Sequence, residues 1–171
     1  ESVVGGEKVG RYSFLGADPF LLLEARGTAV KVTRFARGDG ERDEVESLEA
    51  ADPLAELERR MAPYRPARVA ELPPFTSGAI GYAAYDSVRY VEKLPNAPTD
   101  DRRIPDLSFG FHDRMVIFDH AAKTVLVVAH ARVEEGRDLR VSYNDACHRV
   151  DALVEQLQRG VADIQLTDID P

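Results

Sequence analysis

Four glycines within twelve residues, Gly5, Gly6, Gly10 and Gly16, bracket the alternating run Arg11-Tyr12-Ser13-Phe14-Leu15. In a strand, alternation sends neighbouring side chains to opposite faces, so Tyr12 and Phe14 share one face and Arg11, Ser13 and Leu15 the other. The Gly5-Gly6 pair admits a tight turn with positive φ, which folds Glu1-Ser2 back beside Arg11 and Ser13. A hydroxyl, a carboxylate, a guanidinium and an aromatic ring then lie within a few residues of one another. That set suits a zwitterionic ligand with an apolar body, such as an amino acid. It equally describes a hairpin whose polar side faces water, and spacing alone leaves both readings open.

The pattern continues in short strands. Asp18-Pro19 makes a turn, Phe20 to Ala25 a strand, Arg26-Gly27 a second turn and Thr28 to Ala36 another alternating run. The expectation is three short antiparallel strands in succession. Arg37 to Glu49 is charged and holds Gly38-Asp39-Gly40, a turn followed by a solvated loop or weak strand. Asp52-Pro53 starts a helix, with Asp52 as N-cap and Pro53 at the first helical position. Leu54, Leu57 and Met61 form its inner stripe, with Glu56, Arg59 and Arg60 outside. Four prolines between residues 63 and 74 make an extended connector.

Phe75 to Tyr85 is a second glycine-punctuated strand, read as tightly packed and central, its small residues marking close approach of a backbone or ligand. Asp86 is expected to cap a short helix with Val88 and Val91 inward. Residues 94–105 form a proline-containing surface loop. Asp106 to Asp119 and Thr124 to Arg132 read as the longest hairpin, buried on both faces. Ser142 and Asp145 resemble a capping box opening a helix whose stripe is Ala146, Val150, Leu153, Val154 and Leu157, ending at Gly160. No βαβαβ rhythm occurs, which excludes a doubly wound nucleotide fold. The fold class is α+β, a mostly antiparallel β-sheet with helices packed on one side.

Composition narrows the function. A formal charge of −8 argues against a nucleic-acid surface, which needs clustered Lys and Arg. No apolar run approaches the roughly 20 residues of a membrane span. The single cysteine, Cys147, excludes an internal disulfide framework, fits a reducing and hence cytoplasmic compartment, and reads as a packing residue. His112, His120, His130 and His148 lack metal-ligand spacing. On one straight strand His112 and His120 would stand roughly 26 Å apart, at about 3.3 Å per residue. Asp100, Asp101 and Asp106 lie in a solvated loop, and neither a GxSxG, a Walker A nor a GxGxxG motif occurs. No catalytic constellation and no metal site is read here. The chain opens at Glu1 and closes on the weakly periodic 161–171, so it is expected to be a piece of a longer protein.

Three blocks together resemble component I of anthranilate synthase. They are Glu1-Ser2 with Gly5-Gly6-Glu7-Lys8 and Gly10-Arg11-Tyr12-Ser13-Phe14-Leu15-Gly16; Gly78-Ala79-Ile80-Gly81-Tyr82 with Tyr85-Asp86-Ser87-Val88-Arg89 and Glu92-Lys93-Leu94-Pro95; and Pro105-Asp106, Phe109-Gly110-Phe111-His112-Asp113 and Val116-Ile117-Phe118-Asp119-His120. They follow the family's order over residues 1 to about 132. Val4, Val9, His112 and Ala83-Ala84 depart from the usual pattern.

The resemblance implies a division of labour. Residues 1–160 correspond to the N-terminal regulatory domain, and 161–171 to a linker toward a C-terminal chorismate-binding catalytic domain. The whole enzyme is a lyase of tryptophan biosynthesis that uses Mg²⁺, bound by the catalytic domain, and ammonia from a glutamine amidotransferase subunit. Tryptophan is its feedback inhibitor. Carried over by position, Ser2 meets the inhibitor's polar end, Glu1 sits at the pocket edge, Val9 forms a wall, and Arg11, Tyr12 and Ser13 line the pocket. The alternatives are component I of aminodeoxychorismate synthase and a free-standing amino-acid sensor.

Overall fold

The computed structural model describes residues 10–37, 40–96 and 99–159. Its strands are β1 (Tyr12–Leu15), β2 (Leu21–Arg26), β3 (Ala29–Arg34), β4 (Glu44–Glu49), β5 (Gly78–Ala83), β6 (Leu107–His112), β7 (Arg114–Asp119) and β8 (Thr124–Ala129). Two α-helices, α1 (Pro53–Met61) and α2 (Leu139–Gln158), and a 3₁₀ helix, Tyr85–Tyr90, complete it. The fold is α+β with antiparallel pairing, as expected, but the strands divide between two sheets. One has the order β4-β3-β2-β6-β5 and the other β1-β7-β8. No helix among the described residues is long and apolar enough to cross a membrane.

The five-stranded sheet holds the main core. Leu23 pairs with Val32 on one side and Phe109 on the other, and Ala25 with Val30 and Leu107. Period-2 alternation thus gathers Leu21, Leu23, Ala25, Val30, Val32, Leu107 and Phe111 with Phe20 in one buried cluster. Leu54 and Leu57 of α1 pack against it. The Asp52 carboxylate caps α1 by accepting from the N–H groups of Leu54 and Ala55 at 3.0 and 3.2 Å, as the Asp-Pro pair predicts. Two details of the stripe differ from expectation. Met61 is exposed, and Glu56 is buried rather than outward. Glu56 accepts from Arg59 (2.6 and 2.7 Å) and from Arg60 (2.7 Å), and Arg60 reaches Glu46 of β4 at 2.8 Å. The Arg59 hydrogen bonds, with help from Arg60, hold the Glu56 carboxyl below its ordinary pKa against the opposing effect of burial.

The first three strands do not form a meander. β1 leaves β2 and pairs with β7, with Tyr12 opposite Asp119 and Leu15 opposite Val116. The expected continuous strand from Asp106 to Asp119 is broken at Asp113, so β6 ends in one sheet and β7 begins in the other. The β7–β8 hairpin forms as expected, and Met115, Val116 and Ile117 are buried on β7, but β8 is not buried on both faces: Val125 is exposed, because no element among the described residues covers that side of the strand's start. β5 is an edge strand, not a central one. Its small residues do mark a close approach: a Cβ on Gly81 would lie 1.9 Å from the Ser108 carbonyl oxygen.

Helix starts differ where a competing cap lies nearby. The N-cap of α2 lies four residues before Ser142, because Asp138 accepts from the Arg140 N–H at 2.7 Å and takes that role. Ser142 is buried inside the helix, Asp145 bonds Arg137, Leu157 is exposed and Cys147 is half-buried. Gly160 lies outside the described residues. The 3₁₀ helix starts after Ala84 with no side-chain cap; Asp86 accepts from Arg89 at 2.7 Å instead, and Val91 is 72% exposed.

Candidate ligand site on the first strand

Gly10 adopts φ +74°, a conformation that L side chains rarely take, and delivers the chain into β1. The ladder with β7 extends one step before the strand, since the His120 N–H donates to the Arg11 carbonyl at 2.8 Å. Opposite β1, residues 119 and 120 therefore face the polar residues of the Gly-Arg-Tyr-Ser run.

Arg11 and Ser13 diverge. The Arg11 guanidinium lies 5.0 Å over the Tyr12 ring and forms a fork with Asp119, Tyr12's register partner: Nε to Oδ1 at 3.1 Å and Nη2 to Oδ2 at 2.7 Å. It thus engages the Tyr12 side rather than the face expected from alternation. Ser13 Oγ instead lies 2.7 Å from His120 Nε2. Tyr12 and Phe14 share their face as expected, with centroids 6.1 Å apart, and Phe75 meets Phe14 edge-on at 5.4 Å. The result is a polar seam tied to β7 alongside an aromatic strip. Of the predicted pocket residues, Arg11, Tyr12 and Ser13 come together here. Glu1, Ser2 and Val9 lie outside the described residues.

Asp119 is the residue that sequence reasoning missed. Besides the Arg11 fork, its Oδ1 accepts from the N–H groups of Ala121 and Ala122, both at 3.0 Å, closing the β7–β8 turn. The available signal was an Asp two and three residues before the turn N–H groups it accepts from. The Arg11 hydrogen bond, followed by that from Ala122, holds its carboxyl at a pKa of about 2. A carboxyl depressed on folding adds stability that is present above its unfolded pKa, roughly 3.9, and is lost as pH falls through the folded value. The β1–β7 pairing is therefore expected to hold at pH 5 and to loosen toward pH 2, read by amide exchange of β1. An Asp119→Asn variant should remove that acid dependence. An identical acid profile in the variant would exclude Asp119 as its source.

A second buried carboxylate sits where the two sheets divide. Asp113 accepts from Arg37 (2.6 and 3.1 Å) and from Arg149 of α2 (2.7 Å). Arg149 also donates to the His130 carbonyl at 2.8 Å. Burial pushes the Asp113 pKa up, but the Arg37 hydrogen bonds and the surrounding guanidinium charges outweigh it and leave it below the ordinary value. Burial likewise lowers the pKa of His112. Among the described residues no three His, Cys, Asp or Glu side chains converge as metal ligands. The two buried aspartates, Asp113 and Asp119, are both engaged by arginines.

A family model described as chorismate binding enzyme matches residues 13–168, from inside β1 through α2 and beyond it. The chain belongs to the chorismate-binding enzyme family. Among curated relatives, the chloroplastic anthranilate synthase alpha subunit 2 of Arabidopsis thaliana is 35% identical over 166 residues, covering 92% of this chain and 26% of the relative. Anthranilate synthase component 1 of Synechocystis is 36% identical over 160 residues, covering 92% and 30%. The crystal structure of anthranilate synthase component I from Streptococcus pneumoniae superposes with a TM-score of 0.69 over 97% of this chain and 36% of that one, at 22% identity, and so shares the fold. The resemblance read from the sequence blocks is thus borne out. The chain spans between a quarter and a third of the length of these curated relatives. In this chorismate-binding family chain the motif blocks are spatial neighbours. The described part of the first block, Gly10 to Gly16, runs along β1 against the end of the third on β7, and Gly78 to Tyr82 of the second lies on β5 against β6.

Proposed function

We propose that this chain is the tryptophan-binding regulatory part of an anthranilate synthase component I. The observation that carries the reading is the seam on β1, where Arg11 is held by Asp119 of β7 and Ser13 by His120 just after it, beside the Tyr12–Phe14–Phe75 strip. An amino acid with an aromatic side chain matches that pairing of fixed polar groups and rings. The names of the relatives supply the enzyme to which such a pocket belongs. In the complete protein, chorismate and glutamine or ammonia are converted to anthranilate. Chorismate and Mg²⁺ are held by polypeptide beyond this chain, and a glutaminase subunit provides the ammonia.

Inhibition requires tryptophan to bind one arrangement of the protein more tightly than another. In this reading it wedges between the β1 seam and the catalytic part, and holds them where the latter cannot close on chorismate. Burying an indole of roughly 200 Å² yields on the order of 5 kcal/mol. Association costs about that or more, so a half-pocket binds poorly and the full pocket is needed.

The test is made on the full-length protein with its glutaminase. Chorismate and glutamine are expected to give anthranilate, and tryptophan to inhibit. Ser2→Phe should raise the half-inhibitory tryptophan concentration at least roughly tenfold, about 1.4 kcal/mol. Unchanged sensitivity in that variant would place the inhibitor elsewhere. Formation of 4-amino-4-deoxychorismate would assign the chain to the sister enzyme instead.

A further inference from the structure

We propose that His112 is a pH-sensitive latch between the two sheets: charging its ring in mild acid loosens residues 16–20 and the strand β1 that runs into them. The latch does not depend on what the β1 site binds. The chain crosses from one sheet to the other at residues 16–20, between β1 and β2, and again at Asp113, between β6 and β7. His112 closes β6 beside the second crossing, and its ring packs on the first. A Cβ on Gly16 would lie 3.0 Å from its Nδ1 and 3.2 Å from its Cε1. A Cβ on Gly110 would lie 3.1 Å from its Nε2 and 3.2 Å from Pro19 Cβ. Glycines on both segments thus make room for the ring. The residue is 9% exposed, and Nδ1 is buried without a hydrogen-bond partner among the described residues.

A buried imidazole is tolerable neutral and costly charged. The groups facing the ring do not reverse that. Burial is the largest effect and lowers the pKa of His112. The Ala17 carbonyl and the Asp113 carboxylate favour the charged ring, whereas Arg114 and Arg37 oppose it. Asp113 is already shared by Arg37 and Arg149, and Asp18 is bound to Arg114 at 2.9 Å. On β5 the register partner is Gly78, which adds no charge. Once the contact opens, the ring regains its ordinary value of about 6.5. The closed contact is therefore held fully above roughly pH 6.5 and weakens as pH falls from there toward the depressed folded value. At pH 5.5 a freed ring is charged about ten to one, which favours opening by up to about tenfold. The responses of Asp113 and Asp119 lie below about pH 4, a separate range.

The experiment is amide exchange of the full-length protein at pH 7.5 and 5.5, corrected for the intrinsic effect of pH and resolved over residues 12–20. The Phe20 N–H, which donates to the Phe111 carbonyl at 2.9 Å beside His112, is the nearest reporter. Its protection and that of β1 should fall severalfold, up to about tenfold, at pH 5.5, while β2 and β3 stay protected. His112→Phe should keep the protection at pH 7.5 and lose the fall; should it fail to fold, His112→Gln serves in its place. His120, which meets Ser13 on β1, titrates in the same range, so His120→Gln is the control and should keep the fall at Phe20. The His112 Cε1 resonance, assigned by its loss in the variant, should titrate below about pH 6.5. Unchanged protection of the wild-type protein between the two pH values would overturn the latch. So would an equal fall in the His112 variant, a fall shared by β2 and β3, a fall abolished by His120→Gln, or a ring that titrates at 6.5 or above.

Discussion

Asp113→Asn is expected to lower the stability of the chain by about 2–4 kcal/mol, moving the urea midpoint with little change in slope. The Asp113 side chain is only 7% exposed and takes three hydrogen bonds from two guanidinium groups. Removing its charge leaves Arg37 and Arg149 facing each other with no counter-ion between them. Both guanidinium groups reach water in part, which places the cost toward the lower end of the range for broken buried pairs. The consequence extends beyond one ion pair. Asp113 is the single residue between β6 and β7, its carbonyl accepts from the His130 N–H at 2.8 Å, and its carboxylate binds α2 through Arg149. Both sheets and α2 meet on it.

The pH dependence of the same group has a definite sign. Its carboxyl is depressed in the folded protein, so its contribution is complete above roughly pH 4, the unfolded value, and disappears as pH falls through the folded value. The Asn variant should therefore lose least relative to wild type in acid and most at neutral pH. A variant within about 0.5 kcal/mol of wild type at pH 7 would show that the joint is held by packing alone.

Gly81→Val should detach β5 from its sheet. A Cβ at residue 81 would lie 1.9 Å from the Ser108 carbonyl oxygen and 2.7 Å from Phe109 Cα. Both are backbone atoms of β6, so no side-chain rotation relieves the overlap. The expected cost exceeds the roughly 1–3 kcal/mol of ordinary overpacking. Because β5 is an edge strand, the sheet can shed it without global unfolding. Amides of residues 78–83 should then exchange faster while those of β2 and β3 stay protected. Gly27→Ala provides the contrast: nothing lies within 4 Å of its Cβ, and only the positive φ of 53° opposes it, about 1 kcal/mol. Equal protection of β5 in Gly81→Val and wild type would contradict the close approach.

Local chemistry was legible where the deciding partners are neighbours in sequence. The Asp52 cap, the inner Leu54–Leu57 pair and the alternation of β2 and β3 all depend on residues within a turn or a strand. The same logic failed where two local signals compete. Asp138 displaced Ser142 as helix cap, and Ala84 preceded Asp86 at the start of the 3₁₀ helix. Asp113 could not be read as a break because one turned residue does not disturb the alternation on either side. Glu56 was assigned outward because it is charged, yet two arginines on its own helix make burial tolerable.

The candidate site divides along the same line. The amino-acid sequence by itself determined that Tyr12, Ser13, Phe14 and Leu15 form a strand with aromatics on one face, since backbone pleating alone enforces that period. It also carried the family, through blocks whose order and spacing need no fold to be seen. Only the tertiary structure decided which strand meets β1, that Arg11 turns to Asp119, and that Ser13 turns to His120. Those contacts join residues 108 and 107 positions apart. No pattern along a chain encodes such a distance, because pairing of that range is chosen by how two sheets divide around a shared core.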